Sequence, residues 1–477
     1  MREKIVCVLV GHRYVNEVQT VAQIFFGFAG FTFAQTCGTG YGLVAGLDES
    51  NAYAVIYLDG VEIASRCLAW AEPEYIEAGL SPRRVLMLAV FHALQAVRPT
   101  AAPWGALTGI RPSKMVRAWL DERRPDGAIL KMMTEVLCVR ADKARLAVEV
   151  AHGENRLADI ILASGGRAPA KPPLGIYIGI SFCPSRCAYC SFNMGHTPPT
   201  PDMLGQYVDI VVRECREKAE EARQMGGAIT SLYIGGGTPT VLPVDLLTRL
   251  FEGVREAFGT AREFTLEAGR PDTLTAENLR LSRSFGVNRI AVNPQTLNDQ
   301  TLARVGRGHT AADFFRAFAL TREAGFDCIN VDVIRGLPGE GAAGVDNTLE
   351  AVLPLKPENI TVHTLSVKRA SRLNAQRVTD GGMDSPPPGE WSPSALTAAG
   401  YSPYYLYRQK NTLDLSENVG YSLPGRECLY NIGMMSEVQT ILGIGAGAVS
   451  KYVNGTKISR VFNEKNPEIY MQRRLNN

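Results

Sequence analysis

The sequence predicts an α/β protein whose larger part is a partial (β/α)6 barrel. A small α/β plus helical region precedes the barrel, and a separate C-terminal region follows it. Three observations carry this prediction. From residue 174 onward, six β-type apolar runs are separated by stretches with helical periodicity; parallel strands need such helical crossovers, and these run right-handed. The Gly/Pro-rich stretch Ser164-Gly-Gly-Arg-Ala-Pro-Ala-Lys-Pro-Pro173 marks a boundary just before them. Three cysteines crowd the loop after the first of these strands, on the face where such barrels keep their chemistry.

The elements follow in order. Residues 1–100 read as a small α/β domain: Lys4–Val10 and Tyr53–Leu58 are rich in β-formers, Gly38–Gly46 reads as a glycine-rich turn, and 82–97 is helical. Residues 101–165 read as a helical segment, with amphipathic spacing in Lys114–Leu120 and Lys143–Asp159. The barrel is expected over 174–380. Its strands fall at 174–180, 231–234, 262–268, 288–293, 328–333 and 359–365. Its helices fall near 202–225, 243–257, 275–285, 311–324 and 344–353. Residues 380–393 are Gly/Pro-rich and read as a connection, and 394–477 form the C-terminal region.

Composition narrows the function classes. The chain has 477 residues, 45% hydrophobic and 21% charged, enough for two or three ordinary globular domains. A net charge of +2 gives no bulk pull toward nucleic acid or a membrane surface, and neither is expected as a partner. Ten cysteines are too sparse for a disulfide scaffold. Cys7, Cys37, Cys67, Cys138, Cys215, Cys328 and Cys428 read as small buried hydrophobes. The apolar runs at Ile5–Val10 and Val85–Val97 are too short to serve as a signal peptide or to span a bilayer. A reducing cytoplasm is the expected location; the oligomeric state is open, and a monomer is compatible with the sequence.

The cysteine loop, Cys183-Pro-Ser-Arg-Cys187-Ala-Tyr-Cys190, has the spacing C-x3-C-x2-C. A closed electron-transfer cluster takes four cysteines, and no fourth follows at ferredoxin spacing. Three thiolates hold three irons of a [4Fe–4S] cube and leave the fourth open. This is the signature of radical S-adenosylmethionine (SAM) enzymes, in which SAM chelates the open iron and is split reductively to a 5′-deoxyadenosyl radical. The alternatives are three unrelated thiols or a zinc site, for which His196 would have to be the fourth ligand. Beyond the loop, Gly235-Gly-Gly-Thr-Pro-Thr240 ends the second strand. Its glycines would let backbone N–H groups cradle a carboxylate. Glu267, Asn293-Pro-Gln295, Arg304 with Arg307, and Asp332 follow at successive strand ends. A sulfonium-bearing, zwitterionic nucleoside needs carboxylate and arginine partners of this kind.

These motifs carry a resemblance. Tyr177-Ile-Gly-Ile-Ser-Phe-Cys183, Gly235–Thr240, Leu266-Glu-Ala-Gly-Arg-Pro271, Val292-Asn-Pro-Gln-Thr296, Val305-Gly-Arg307 and Asn330–Pro338 resemble the oxygen-independent coproporphyrinogen III oxidases over about 174–455. Leu107-Thr-Gly-Ile-Arg-Pro-Ser-Lys114, Tyr404–Asn411 and Glu417–Tyr421 are similar to the HemZ-type coproporphyrinogen dehydrogenase branch, which makes 394–477 a C-terminal HemN/HemZ-like region. The resemblance implies a [4Fe–4S] cluster on Cys183, Cys187 and Cys190, and SAM held by Tyr177, Gly236, Gly237, Thr238, Glu267, Gln295, Arg307 and Asp332. Tyr177 would be the catalytic residue beside cluster and SAM, Gly236, Gly237 and Thr238 would hold the SAM amino and carboxylate ends, and Asp332 and Gln295 would lie near the ribose. Two positions depart from the pattern: Phe192 stands where the oxidase has a further cysteine, and Gly179 where it has a histidine. Heme chaperones of the same family share the phenylalanine.

The implied reaction removes a hydrogen from the β-carbon of a propionate, with loss of CO2 and one electron, to leave a vinyl group. Two such steps turn coproporphyrinogen III into protoporphyrinogen IX in anaerobic heme biosynthesis. An electron donor such as flavodoxin or ferredoxin is implied. Arg335, Lys368, Arg369, Arg372, Arg408 and Lys410 are the candidates for the substrate's carboxylates. The competing readings are a heme-binding chaperone that keeps the cluster and SAM site, with His196, His309 or His363 as axial ligand, and a radical SAM enzyme acting on another tetrapyrrole.

Overall fold

The computed structural model describes residues 4–27, 30–164, 172–192, 199–341, 343–368, 371–373, 391–409, 412, 415–455 and 457–476. The chain divides into two compact units: Met1–Glu149 with Tyr407–Asn411, and Val150–Leu406 with Thr412–Asn477. Most of the Gly/Pro-rich stretch at 164–173 lies outside the described residues, as does most of 380–393.

The first unit carries strands β1 (Ile5–Val10), β2 (Phe31–Phe33), β3 (Tyr41–Leu47), β4 (Asn51–Leu58) and β5 (Val61–Ala69), in sheet order β2-β1-β3-β4-β5. Helices Val15–Phe26 and Pro82–Val97 bury their apolar residues, among them Val21, Phe25, Leu86 and Leu94. The glycine-rich turn expected over 38–46 is corrected here: most of it is strand β3. Its glycines make room for neighbours. A Cβ at Gly42 would lie 2.6 Å from Cys37 Sγ, and one at Gly46 would overlap the ring of Tyr53. The helices Pro112–Asp121 and Ala141–Ala163 occupy the stretch expected to be helical.

The second unit holds the six expected parallel strands: β6 (Pro173–Ile180), β7 (Ala228–Gly236), β8 (Glu263–Leu266), β9 (Arg289–Ala291), β10 (Cys328–Arg335) and β11 (Asn359–Thr364). They pair in sequence order, each parallel to the next. Helices Pro201–Gln224, Val244–Phe258, Ala276–Ser284, Ala311–Glu323 and Gly344–Val352 make the crossovers. β6 and β8 are buried almost throughout, as strands covered on both faces must be. Capping boxes at Thr275/Asn278 and Thr310/Asp313 fix two helix starts.

The C-terminal region extends this same sheet at both edges. β14 (Thr440–Ile444) pairs parallel with β6, and β15 (Val449–Asn454) and β16 (Lys457–Phe462) continue antiparallel from it. At the other edge β13 (Glu417–Ser422) pairs antiparallel with β11, and β12 (Ser402–Arg408) lies outside it. Among the described residues no helix is long and apolar enough to cross a membrane.

Candidate active site

The cysteine loop leaves β6 at its C-terminal end and is pinned from several sides. The N–H of Ala188 donates to Val305 O at 2.8 Å, the N–H of Leu373 to Ala188 O at 3.0 Å, and Ser185 Oγ to Gly306 O at 3.0 Å. Cys187 is buried, and Cys183 and Cys190 are half-buried. Burial, followed by the neighbouring cysteines, pushes the Cys183 thiol up to about 11, although its contact with Thr238 Oγ1 at 3.3 Å pulls the other way. Burial also raises Cys190. Loading a metal here must therefore expel protons from these thiols. Among the described residues no three His, Cys, Asp or Glu side chains converge as ligands of a single ion do; a four-iron cube takes its cysteines at separate corners. The zinc alternative turned on His196, which lies outside the described residues.

The glycine run after β7 knits onto this loop. The N–H of Gly237 donates to Ile180 O at 2.7 Å, the N–H of Thr238 to Phe182 O at 2.7 Å, and the N–H of Gly236 to Glu267 Oε2 at 3.1 Å. In this structure the three amides expected to cradle a carboxylate are bonded inside the barrel, to Ile180, Phe182 and Glu267. A Cβ on Gly237 would overlap Phe182 O and come within 2.9 Å of Ile180 O. Only glycine lets the two loops lie this close.

Glu267 follows β8 and is half-buried. Burial, and then the charge of Asp332, push its carboxyl up to about 7 against the opposing Gly236 N–H. Asp332, on β10, is held below its ordinary range. Burial alone would raise it, but His363 overrides this by hydrogen bond and charge, helped by Asn330 and Thr361. Its carboxylate also accepts from Asn293 Nδ2 at 2.8 Å and Asn330 Nδ2 at 2.7 Å. Two adjacent carboxyls in unlike environments are thus pushed apart in acidity. Gln295 sits at φ 67°, in the left-handed region. Its N–H donates to Asp332 O at 3.0 Å, and its own carbonyl accepts from Ile334 N at 2.9 Å. Its Oε1 is buried without a partner. A buried acceptor without a partner, on a non-glycine residue in the left-handed region, is a candidate contact for a ligand.

Tyr177 lies partly buried within a stack of three rings, 6.0 Å from Tyr233 and 6.2 Å from Tyr430, with Tyr233 and Tyr430 4.5 Å apart. Burial, then Glu267, raises its phenol. Arg307 is buried; its Nη2 donates to Gly269 O at 2.8 Å and Asn293 O at 2.7 Å, its Nη1 to Tyr189 Oη at 3.1 Å, and its Nε has no partner. Arg304 serves Pro338 O at 2.9 Å.

The three thiols, Thr238, Gly236, Glu267, Tyr177, Gln295, Asp332 and Arg307 thus form one connected constellation at the strand ends. It fits both cofactors: three thiols on one loop, and beside them an orphaned buried acceptor and a carboxylate held ionised. Other expectations fare differently. Arg408 groups with the first unit, where it lies over Trp104 and donates to Leu107 O. Arg369 and Lys410 lie outside the described residues. Arg335 is buried, whereas Lys368 and Arg372 are exposed. His309 is fully enclosed beside Asp272, and burial holds it near pKa 4, hence neutral. His363 faces Asp332 at 3.7 Å. Gly179 accepts from Tyr207 Oη at 2.6 Å through its carbonyl, and a Cβ there would lie 3.4 Å from Ala446 O; Phe192 is 42% exposed. The sequence did not single out Tyr233, Tyr430 or Arg270. Arg270 sits inside the Leu266–Pro271 motif, but nothing local marks Tyr430.

Residues 177–352 match the radical SAM superfamily model. The chain is 33% identical over 473 residues to the oxygen-independent coproporphyrinogen-III oxidase-like protein HemZ of Bacillus subtilis, covering 97% of this chain and 93% of that protein. It is 29% identical over 288 residues to the heme chaperone HemW of the same organism, covering 60% of this chain and 72% of the relative. The solved structure of coproporphyrinogen III oxidase (HemN) from Escherichia coli, a radical SAM enzyme, superposes with a TM-score of 0.51 at 24% identity. That match spans 66% of this chain and 72% of the other.

Proposed function

The chain belongs to the radical SAM superfamily and, within it, to the HemZ-type oxygen-independent coproporphyrinogen III oxidase-like family; from that premise we propose that it oxidatively decarboxylates coproporphyrinogen III propionates to vinyl groups. Its cofactors are a [4Fe–4S] cluster and SAM. In this reading Cys183, Cys187 and Cys190 hold the cluster, and Tyr177, Gly236, Gly237, Thr238, Glu267, Gln295, Arg307 and Asp332 form the SAM pocket. The observation that carries the proposal is a likeness to an oxidase-like relative over 97% of the chain, with the thiols and the carboxyl–glutamine collar on one face. When bound, cluster and SAM supply a carbon-centred radical able to take a hydrogen atom from an unactivated C–H bond.

The chain's own residues do the rest. Asp332 stays ionised and offers its carboxylate to hydroxyl donors, steadied by Asn293 and Asn330. Gln295 Oε1 offers a buried acceptor beside it. Glu267 is poised to ionise when a cation arrives, since a positive charge would pull its raised pKa back down. The stacked tyrosines wall the site with rings that exclude water from a reactive species. A low-potential electron donor, such as flavodoxin or ferredoxin, supplies the electron that splits SAM, and a one-electron acceptor takes the electron released when the substrate radical loses CO2.

The second reading, heme handling, draws on Phe192 in place of the oxidase cysteine and on the HemW relatives. Against it, of the candidate histidines within the described residues His309 is enclosed and His363 is engaged with Asp332; His196 lies outside the described residues. The deciding experiment is anaerobic turnover of the reconstituted protein with coproporphyrinogen III deuterated at the propionate β-carbon. Release of CO2 with deuterium in 5′-deoxyadenosine supports the oxidase. SAM cleavage without decarboxylation, together with stoichiometric heme binding, supports the chaperone.

A further inference from the structure

An arginine outside the expected SAM set points at one of the cluster thiols. Arg270 follows β8 and is only 3% exposed. Its Nε and Nη2 pair the two carboxylate oxygens of Asp272 at 3.0 and 2.9 Å. From its other edge, Nη1 and Nη2 each reach Ser185 Oγ at 3.1 Å, and Nη1 lies 3.8 Å from Cys187 Sγ. Ser185 in turn donates to Gly306 O at 3.0 Å. One planar fork therefore grips a carboxylate on one side and the cysteine loop on the other, a geometry that lysine cannot reproduce.

We propose that Arg270 is a positioning residue for the iron–sulfur cluster: it donates an N–H to the Cys187 thiolate, holds the Cys183–Cys190 loop through Ser185, and raises the cluster's reduction potential. The inference rests on the reading that Cys187 is a cluster ligand. A cube held by three thiolates is negatively charged and becomes more so on reduction. A donor aimed at a ligand sulfur takes up part of that added charge and favours the reduced state, one of the ways proteins set such potentials. The same contact orients the ligand, as outer-shell partners of metal ligands do. Asp272 balances the charge of Arg270, so the effect on the sulfur comes from the directed N–H rather than from a free cation.

The test uses the full chain, reconstituted anaerobically without substrate. Iron content, the midpoint potential from an EPR-monitored redox titration, and the Fe–S(Cys) stretch in the resonance Raman spectrum are read for the parent and five variants. In Arg270→Gln, and in Arg270→Gln/Asp272→Asn, which leaves no unpaired buried charge, the cluster should reduce at a lower potential and the stretch should move up. Ser185→Ala should keep a potential close to that of the parent. An unchanged potential in both arginine variants overturns the proposal. So does a shift in Ser185→Ala as large as that in Arg270→Gln, since loop placement alone would then explain it. Should the glutamine variants take up no iron, Arg270→Lys decides: a lower potential supports the directed donor, and the parent's potential overturns it. Cys187→Ala separates the two levels. Loss of its cluster upholds the ligand reading whatever Arg270 does, whereas a full cluster in that variant sinks both.

Discussion

Glu267→Gln should move stability and cofactor binding in opposite directions. The displacement of Glu267 from the ordinary 4.5 to about 7, at about 1.4 kcal/mol per pH unit, makes its ionised form a cost of roughly 3 kcal/mol to the cofactor-free fold. This is an upper bound, because the residue is only half-buried and water screens its charge. The sign follows from linkage. Between pH 4.5 and about 7 the folded chain keeps a proton that the unfolded chain has released, so stability falls as pH rises and the full cost is present above 7. Glutamine keeps an acceptor for the Gly236 N–H and carries no charge. The variant should therefore match the parent near pH 5 and exceed it by up to about 3 kcal/mol near pH 8. Urea unfolding of cofactor-free protein across that range, read on the transition of the barrel unit, measures the difference. At pH 8 the same variant should bind SAM more weakly, by about 1–3 kcal/mol, for loss of a charge-assisted partner. A stability difference that is flat with pH, or that favours the parent at pH 8, would refute the reasoning about burial; unchanged SAM affinity would refute the pocket assignment.

Three further outcomes are expected. Cys183→Ala, Cys187→Ala and Cys190→Ala should each lose the iron–sulfur absorbance and SAM cleavage, whereas substituting Cys215, buried in the helix Pro201–Gln224, should keep the full iron content. Asp332→Ala should weaken SAM binding by about 1–3 kcal/mol in equilibrium dialysis while iron content stays the same, because it removes an ionised acceptor that is not one of the three cluster thiols. Gly237→Ala should break the 2.7 Å amide bonds to Ile180 and Phe182 and cost about 1–3 kcal/mol in denaturant unfolding; Gly205→Ala, in a helix with open space at its Cβ, should instead be neutral or gain up to about 1 kcal/mol.

The sequence by itself determined the parts whose physics is local. C-x3-C-x2-C names a three-thiolate set because coordination depends on residue type and short spacing. The strands β6–β11 read directly as apolar runs because parallel strands are covered on both faces. The placement of Glu267, Gln295 and Asp332 was legible because each follows or lies on such a strand, and in this topology successive strand ends share a face. What depended on distant partners was decided only by the tertiary structure. The stretch 38–46 looked like a turn because glycine usually punctuates, yet it is a strand whose glycines accommodate Cys37 and Tyr53. The amides of Gly236–Thr238 looked free for a ligand, but their acceptors lie on Glu267 and on the chain from Ile180 to Phe182. β14 joins the sheet beside β6 across more than half the chain, and Tyr430 reaches the Tyr177 stack from a helix with no motif of its own. Arg270 stood in plain view inside a quoted motif, but its aim at Cys187 depends on Asp272 and Ser185 both being in place. A side chain's chemistry is set by its atoms, whereas its partner is set by the packing of elements that the chain brings together only on folding.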